Sequence, residues 1–163
     1  MIKVGIVTAS DKGARGERED VSAQTIRDIV GEIGGVVEEY RIVPDEQVLL
    51  EQAMTDMIDN KGVHLLLTTG GTGFSPRDVT PEATLAVIER LVPGIPEFMR
   101  LESGKITPRA MLSRATAGIR GQALIVNLPG SPKGVRECLG AILHQLPHGL
   151  EILRGQAGEC GGR

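Results

Sequence analysis

Residues His64 to Ala83 read HLLLTTGGTGFSPRDVTPEA, an apolar run that opens into a glycine-rich turn and closes on a helix start. The run His64-Leu65-Leu66-Leu67-Thr68 has the continuity of a strand buried on both faces, although its periodicity alone fits a piece of core helix equally well. Gly70-Gly71-Thr72-Gly73 decides for the strand. Glycines take positive φ without a Cβ clash and turn successive N–H groups toward one point, which makes an anion-binding nest at the strand's carboxyl end. Thr80-Pro81-Glu82 predicts the next helix start, with Thr80 as N-cap and Pro81 at the first helical position. The turn carries neither a Gly-x4-Gly-Lys nor a Gly-x-Gly-x-x-Gly fingerprint. Arg77 beside Asp78 is either a surface ion pair or a pair suited to a metal-bound nucleotide, since a guanidinium grips phosphate bidentately and a carboxylate holds a hard cation.

Outward from this stretch, strands alternate with helices. Met1 to Thr8 predicts the first strand, Ala9 to Gly16 a polar loop, and Ser22 to Ile33 a helix stopped by Gly34-Gly35. Val36 to Val43 predicts the second strand, and Pro44-Asp45 launches a helix over Glu46 to Asn60. After the glycine turn a helix is expected over Pro81 to Leu91. Pro93-Gly94-Ile95-Pro96 interrupts before a short segment from Glu97 to Glu102, and Ser103 to Pro108 reads as irregular. Ser113 to Ile119 and Gln122 to Leu128 read as two strands joined at Arg120-Gly121, an antiparallel hairpin at a sheet edge. Helices to about His144 and over Leu146 to Leu153 follow. The pattern is that of an α/β fold with a mainly parallel central sheet covered on both faces. One domain over residues 1–154 is expected, with a mobile tail from 155 to 163.

With 163 residues, 40% of them apolar, the chain suits one full-sized core. A net charge of −3 and 2% aromatics supply neither the electrostatic footprint nor the stacking surface for nucleic acid, so no nucleic-acid partner is expected. No window reaches the length of a membrane span, and the chain opens directly on a strand, so a cytoplasmic protein without a membrane contact is expected. Cys138 lies in a predicted helix and Cys160 in the glycine-rich tail, which argues against a disulfide or a cysteine metal site. Pro147 between His144 and His148 breaks the helix that would align them as ligands.

Ligands of open α/β sheets bind beyond the carboxyl ends of the strands. Four such ends carry unusual chemistry: Ser10-Asp11, Pro44-Asp45, Thr69 to Asp78, and Asn127-Leu128-Pro129-Gly130-Ser131-Pro132. Two glycine-bearing turns at helix starts suggest a ligand with more than one phosphate. Asp45 and Asp78 are the metal candidates. Asp45 is equally placed to N-cap the helix beginning at Glu46, and Asp78 to tie its own loop.

The stretch Thr68 to Ala83, together with Val43-Pro44-Asp45-Glu46, Leu112-Ser113-Arg114 and Asn127 to Pro132, closely resembles the MogA/MoaB family of molybdenum-cofactor biosynthesis. The likeness spans nearly the whole chain and is nearest the MogA-type molybdopterin adenylyltransferases. It implies a three-layer α/β sandwich, a homotrimer, and Mg²⁺-dependent transfer of AMP from ATP to the terminal phosphate of molybdopterin, with transient contact to a downstream metal-insertion protein. The family's essential aspartates fall on Asp45 and Asp78, which assigns both to the cation. Gly70, Gly71, Thr72 and Gly73, with Thr69, would cradle phosphate; Arg77 would neutralise it; Asn127, Pro129, Gly130, Ser131 and Pro132 would shape the nucleotide end. Ser10 and Asp11 share that rim, and Ser113 with Arg114 would reach the pterin phosphate. Lys12 stands where the family often has arginine, so a bidentate phosphate contact is not expected there. A binding-only or scaffolding trimer of the MoaB kind is the alternative to the enzyme, and the pair of aspartates favours the enzyme.

Overall fold

In the computed structural model, which describes residues 1–158, the elements run β1 (Ile2–Ala9), α1 (Asp11–Ala14), α2 (Val21–Val30), β2 (Gly35–Val43), α3 (Gln47–Asp59), β3 (Leu65–Thr69), α4 (Thr80–Val87), β4 (Arg90–Leu91), α5 (Gly94–Gly104), β5 (Ala117–Arg120), β6 (Ala123–Leu128), α6 (Pro132–Ile142) and α7 (Leu146–Leu153). They build one six-stranded sheet in the order β2-β1-β3-β6-β5-β4. β1, β2, β3 and β6 are parallel, while β5 pairs antiparallel with both β6 and β4. Every residue of β3 and β6 is buried, as strands covered on both faces require.

Side chains alternate between the faces with the strand period of two. Val4, Ile6, Leu65, Leu67, Leu124, Val126 and Leu128 join α2, α5, α6 and α7 in one core, through residues such as Ile26, Met99, Leu139 and Leu150. Val7, Leu66 and Ile125 face the other way, against Leu50, Met54 and Met57 of α3 and Ala83 and Val87 of α4. The result is helix, sheet, helix: a three-layer sandwich. β1 connects through α2 to β2 on one side, whereas β3 lies on its other side, so the order reverses between β1 and β3. Their outgoing loops diverge there and leave a crevice at the carboxyl edge.

Several elements depart from expectation. The polar loop after β1 contains the short helix α1, and α4 stops at Val87 instead of Leu91. The chain then forms β4, whose pairing is extended by Glu89 N–H to the Ile119 carbonyl and Val92 N–H to the Ala117 carbonyl. The hairpin β5–β6 is therefore not the sheet edge; β4 is. Two residues carry no periodicity, so only the partner strand could reveal them. The strand expected from Ser113 begins at Ala117, and α5 starts at Gly94 with Pro96 in its first turn, where the missing N–H has no helical partner to lose. The final helix starts at Leu146 as expected. Of the tail expected to be mobile, residues 159–163 lie outside the described residues, as does Cys160. Gln156 and Ala157 donate back to the Glu151 carbonyl.

Thr80 is not the N-cap of α4. Val79 holds that position without a side-chain bond, and Thr80 is the first helical residue, drawn inward by its N–H bond to the Gly71 carbonyl. Its hydroxyl is fully buried and has no hydrogen-bond partner. An unsatisfied buried hydroxyl costs the native state, so Thr80→Val should raise stability by about 1 kcal/mol in chemical denaturation. A capping role would instead make the same change lower it by about 1 kcal/mol.

Candidate active site at the carboxyl edge of the sheet

The turn after β3 is folded as its glycines imply. Gly70 and Gly71 have φ of +91° and +70°. A Cβ on Gly70 would lie 2.5 Å from the Ala9 carbonyl oxygen, and one on Gly71 would lie 2.3 Å from Thr80 Oγ1. The Gly70 N–H is taken by the Leu128 carbonyl, while the Gly71, Thr72 and Gly73 amides make no hydrogen bond to another described residue. Those three, not all four, are the donors left for an anion. Thr69 Oγ1 donates to the Pro129 carbonyl at 2.6 Å, which ties this turn to the one after β6. There Ser131 Oγ accepts from Gly134 N–H and caps α6, whose first residue is Pro132. Ser22 Oγ donates to the Gly130 carbonyl and anchors the same turn to α2.

The carboxylates divide into a pair facing the crevice and one that holds the rim. Asp45 does not cap α3; Glu46 occupies that position and makes no side-chain bond. Asp45 Oδ2 instead accepts from Asp11 N–H, and Asp11 Oδ1 from Asp45 N–H, both at 3.0 Å. Asp45 thus adds an acceptor at the N-terminus of α1, whose N-cap is Ser10, with Oγ accepting from Gly13 N–H. Arg77 closes on Asp11 bidentately, Nη2 to Oδ1 at 2.8 Å and Nε to Oδ2 at 3.1 Å. That guanidinium and the Asp45 amide hold the Asp11 pKa below its ordinary value. Burial pushes the Asp45 pKa up, and the charges of Asp11 and Asp78 push it further, against the Asp11 amide and Arg77. Asp78 Oδ2 accepts from Ser75 N–H at 3.0 Å, in the space a Cβ on Gly73 would need.

A cavity of about 670 Å³ collects Ser10, Asp45, Thr69, Gly70, Gly71, Asp78, Gly130, Ser131 and Pro132. A neighbouring cavity of about 440 Å³ takes Thr72, Gly73, Ser113 and Pro129, and the two meet at Ser131. Four expected ligand contacts lie in neither lining. Asp11 and Arg77 are spent on each other. Asn127 is fully buried: its Nδ2 donates to Thr68 and Thr84 hydroxyls, and its Oδ1 accepts from Thr116 N–H, so it braces the sheet beneath the site. Arg114 is consumed by the loop itself, with Nε on the Gly73 carbonyl, Nη2 on the Asp78 carbonyl and Nη1 on the Glu82 carboxylate.

Other lining residues escaped the sequence. Thr8, Asp20 and Ser22 border the larger cavity. Asp20 Oδ2 accepts from Thr8 and Tyr40 hydroxyls, and its Oδ1 caps α2 through Ala23 N–H. The N-cap position was the one local signal for it. Arg100, Arg109 and Lys133 give the smaller cavity its cations; Lys133 directly follows the turn from Asn127 to Pro132, whereas nothing in the neighbourhoods of Arg100 and Arg109 marks them. No histidine lines either cavity. His64 sits at the opposite, amino end of β3, where its Nδ1 accepts from Lys3 N–H.

Among the described residues no group of three His, Cys, Asp or Glu forms a metal cage. Two crowded carboxylates fit a hard divalent cation that takes its remaining ligands from water and phosphate oxygens. The arrangement defines an α/β protein whose sheet edge presents free amides, a helix N-terminus and the carboxylates of Asp45 and Asp78, groups chemically suited to a phosphorylated ligand. The chain belongs to the family described as "Probable molybdopterin binding domain", which matches residues 5–148. It is similar to the molybdopterin adenylyltransferase of Helicobacter pylori strain J99, at 42% identity over 156 residues, 94% of this chain and 89% of that one. The molybdopterin adenylyltransferase of Escherichia coli K12 is 43% identical over 143 residues, 86% and 73% of the two chains. The crystal structure of the molybdopterin biosynthesis enzyme MoaB from Thermus thermophilus matches with a TM-score of 0.90 at 50% identity, over 95% of this chain and 98% of that one.

The raised Asp45 pKa has a definite sign in stability. The folded state binds that proton more tightly than the unfolded chain, so ionised Asp45 costs stability at neutral pH, and the cost fades as pH falls through the folded pKa. Asp45→Asn keeps the acceptor for Asp11 N–H and removes the charge. It should melt higher than the parent at pH 7, with the gap closing in acid; a lower melting point at pH 7 would contradict the assignment.

Proposed function

We propose that this chain is a molybdopterin adenylyltransferase that transfers AMP from ATP to the terminal phosphate of molybdopterin. The observation that carries the reading is the junction at Ser131. On one side lies a cavity with Asp45, Asp78 and the N-terminus of α6, and on the other a cavity with Arg100, Arg109 and Lys133. ATP phosphates fit the first, and the phosphate of molybdopterin fits the second beside Ser113. Asp45 and Asp78 would hold Mg²⁺, whose charge would offset the repulsion between two anionic phosphates.

A terminal phosphate oxygen attacks the α-phosphorus of ATP, the bond from that phosphorus to the bridging oxygen breaks, and pyrophosphate leaves with the electron pair. The nucleophile is already anionic near neutrality, since a phosphate monoester has its second pKa near 6. No protein base is needed to deprotonate it. The protein's work is placement: amides of Gly71 to Gly73 aimed at phosphate oxygens, and cations in the neighbouring cavity to hold the acceptor. The purified protein should release pyrophosphate and form adenylyl-molybdopterin when given molybdopterin, ATP and Mg²⁺. Asp78→Asn should lower that rate on the order of 100-fold or more at unchanged thermal stability. Near-normal turnover by the folded variant removes Asp78 from the chemistry, and molybdopterin binding without pyrophosphate release by the parent selects the binding-only alternative.

We infer further that the protein assembles as a homotrimer in the cytoplasm and passes its product in a transient contact to a downstream metal-insertion protein. The subunit number comes from the family resemblance. An apolar cavity of about 400 Å³ bordered by Val92, Ile95, Phe98, Ile119, Leu146 and Leu153 supports self-association, with Phe98 in its lining 45% exposed. No described helix is long and apolar enough to cross a membrane. Light scattering after gel filtration should give three times the chain mass, and Phe98→Glu should reduce it to one; a monomeric parent at micromolar concentration contradicts the trimer.

A further inference from the structure

The segment from Phe74 to Arg77 is exposed throughout and contributes nothing to either core, yet it ends on Asp78. Within it the bonds are short-range: Ser75 N–H to Asp78 Oδ2, and Asp78 N–H to the Ser75 carbonyl. Arg77 reaches across to Asp11 from its tip. Such a turn has little burial to offset its ordering entropy. Besides Thr80 N–H on the Gly71 carbonyl, what closes it at the base is one residue from outside. Arg114 N–H bonds the Thr72 carbonyl at 2.9 Å, Arg114 Nε the Gly73 carbonyl at 2.8 Å, and Arg114 Nη2 the Asp78 carbonyl at 2.8 Å. Nη1 lies 2.7 and 3.0 Å from the two Glu82 oxygens, which fixes the guanidinium against α4. The segment's entry and exit are therefore pinned to one rigid plane.

We propose that Arg114 is a positioning residue for Asp78: it sets the backbone of the loop that presents the carboxylate to the cation and does not itself bind the substrate phosphate. The inference rests on the reading of Asp78 as a cation ligand. Its guanidinium lines neither cavity and already serves two carbonyls and a carboxylate. Lysine cannot replace it, because one ammonium on a flexible stem cannot span carbonyls five residues apart while meeting Glu82. Glu82 belongs to the same device, since without it the planar group loses its orientation. Loss of a residue that orients a metal ligand typically weakens metal affinity about 10- to 100-fold.

The test uses Mn²⁺ with ATP, followed by the electron paramagnetic resonance of free and bound Mn²⁺, so that no turnover is needed. Arg114→Lys should weaken Mn²⁺-ATP binding about tenfold or more, Glu82→Gln less, and Asp78→Asn at least as much as Arg114→Lys. The double variant Arg114→Lys/Asp78→Asn should bind no more weakly than Asp78→Asn alone, because the two act through one carboxylate. Should Arg114→Lys fail to fold, Glu82→Gln, alone and with Asp78→Asn, carries the same comparison. If Asp78→Asn binds Mn²⁺-ATP like the parent, the reading of Asp78 as a ligand fails. If Asp78→Asn weakens binding but folded Arg114→Lys and Glu82→Gln do not, or if their effects add to that of Asp78→Asn, the positioning role is overturned and the site reading stands.

Discussion

Three neighbouring strand ends are drawn to one point at Gly70, where the backbone leaves no space for a side chain. Its Cα faces the Ala9 carbonyl at the end of β1, its N–H is bonded to the Leu128 carbonyl at the end of β6, and a Cβ on Gly130 would come within 3.4 Å of it. The rest of the rim follows from this contact. The chain must leave the sheet at a sharp angle with positive φ at two successive residues, so the next amides turn outward. The turns after β3 and β6 become a shared wall, and the two cavities have to lie back to back across it.

Much of this was legible in local sequence. A continuous apolar run marked β3 as a strand covered on both faces, β1 and β6 were also read as strands, and the glycines and prolines after β3 and β6 placed the rim at the correct end of the sheet. What escaped was settled by partners distant in the chain. β4 exists because β5 offers it a ladder. The side chain of Asn127, in a motif that reads as a ligand loop, turns into the sheet because Thr68 and Thr84 wait there with hydroxyls. Arg114 is separated by 41 residues from the carbonyl of Gly73 that it serves, and no spacing rule reaches so far. Asp45 shows the same limit in another form: the position suited a cap of α3, but its carboxylate instead accepts from the first helical N–H of α1, whose N-cap is Ser10.

The rim also places like charges side by side. Asp11, Asp45 and Asp78 belong to three different loops, and only Arg77 answers them with a salt bridge among the described residues, on Asp11. The other two carboxylates stand in a cavity, where burial first, and then the charges of Asp11 and Asp78, raise the pKa of Asp45. Strain of this kind is common where a protein must receive a cation with its substrate, because relieving it in the free protein would weaken the site. The reciprocal amide bonds between Asp11 and Asp45 hold these charges in place without neutralising them.

The position of His64 separates two responses to acid. Burial lowers its pKa below the ordinary imidazole value, and its Nδ1 lone pair is engaged by Lys3 N–H at the amino edge of the sheet, the full length of β3 away from the carboxylates. As pH falls below the ordinary imidazole range, the unfolded chain takes up this proton before the folded one does, and stability declines toward the folded pKa. Proton uptake at Asp45 acts on the opposite edge and in the opposite sense. Acid therefore acts on stability in opposite senses through the two edges, lowering it through His64 and restoring it through Asp45, so a melting curve and a ligand-binding curve recorded against pH need not share a midpoint.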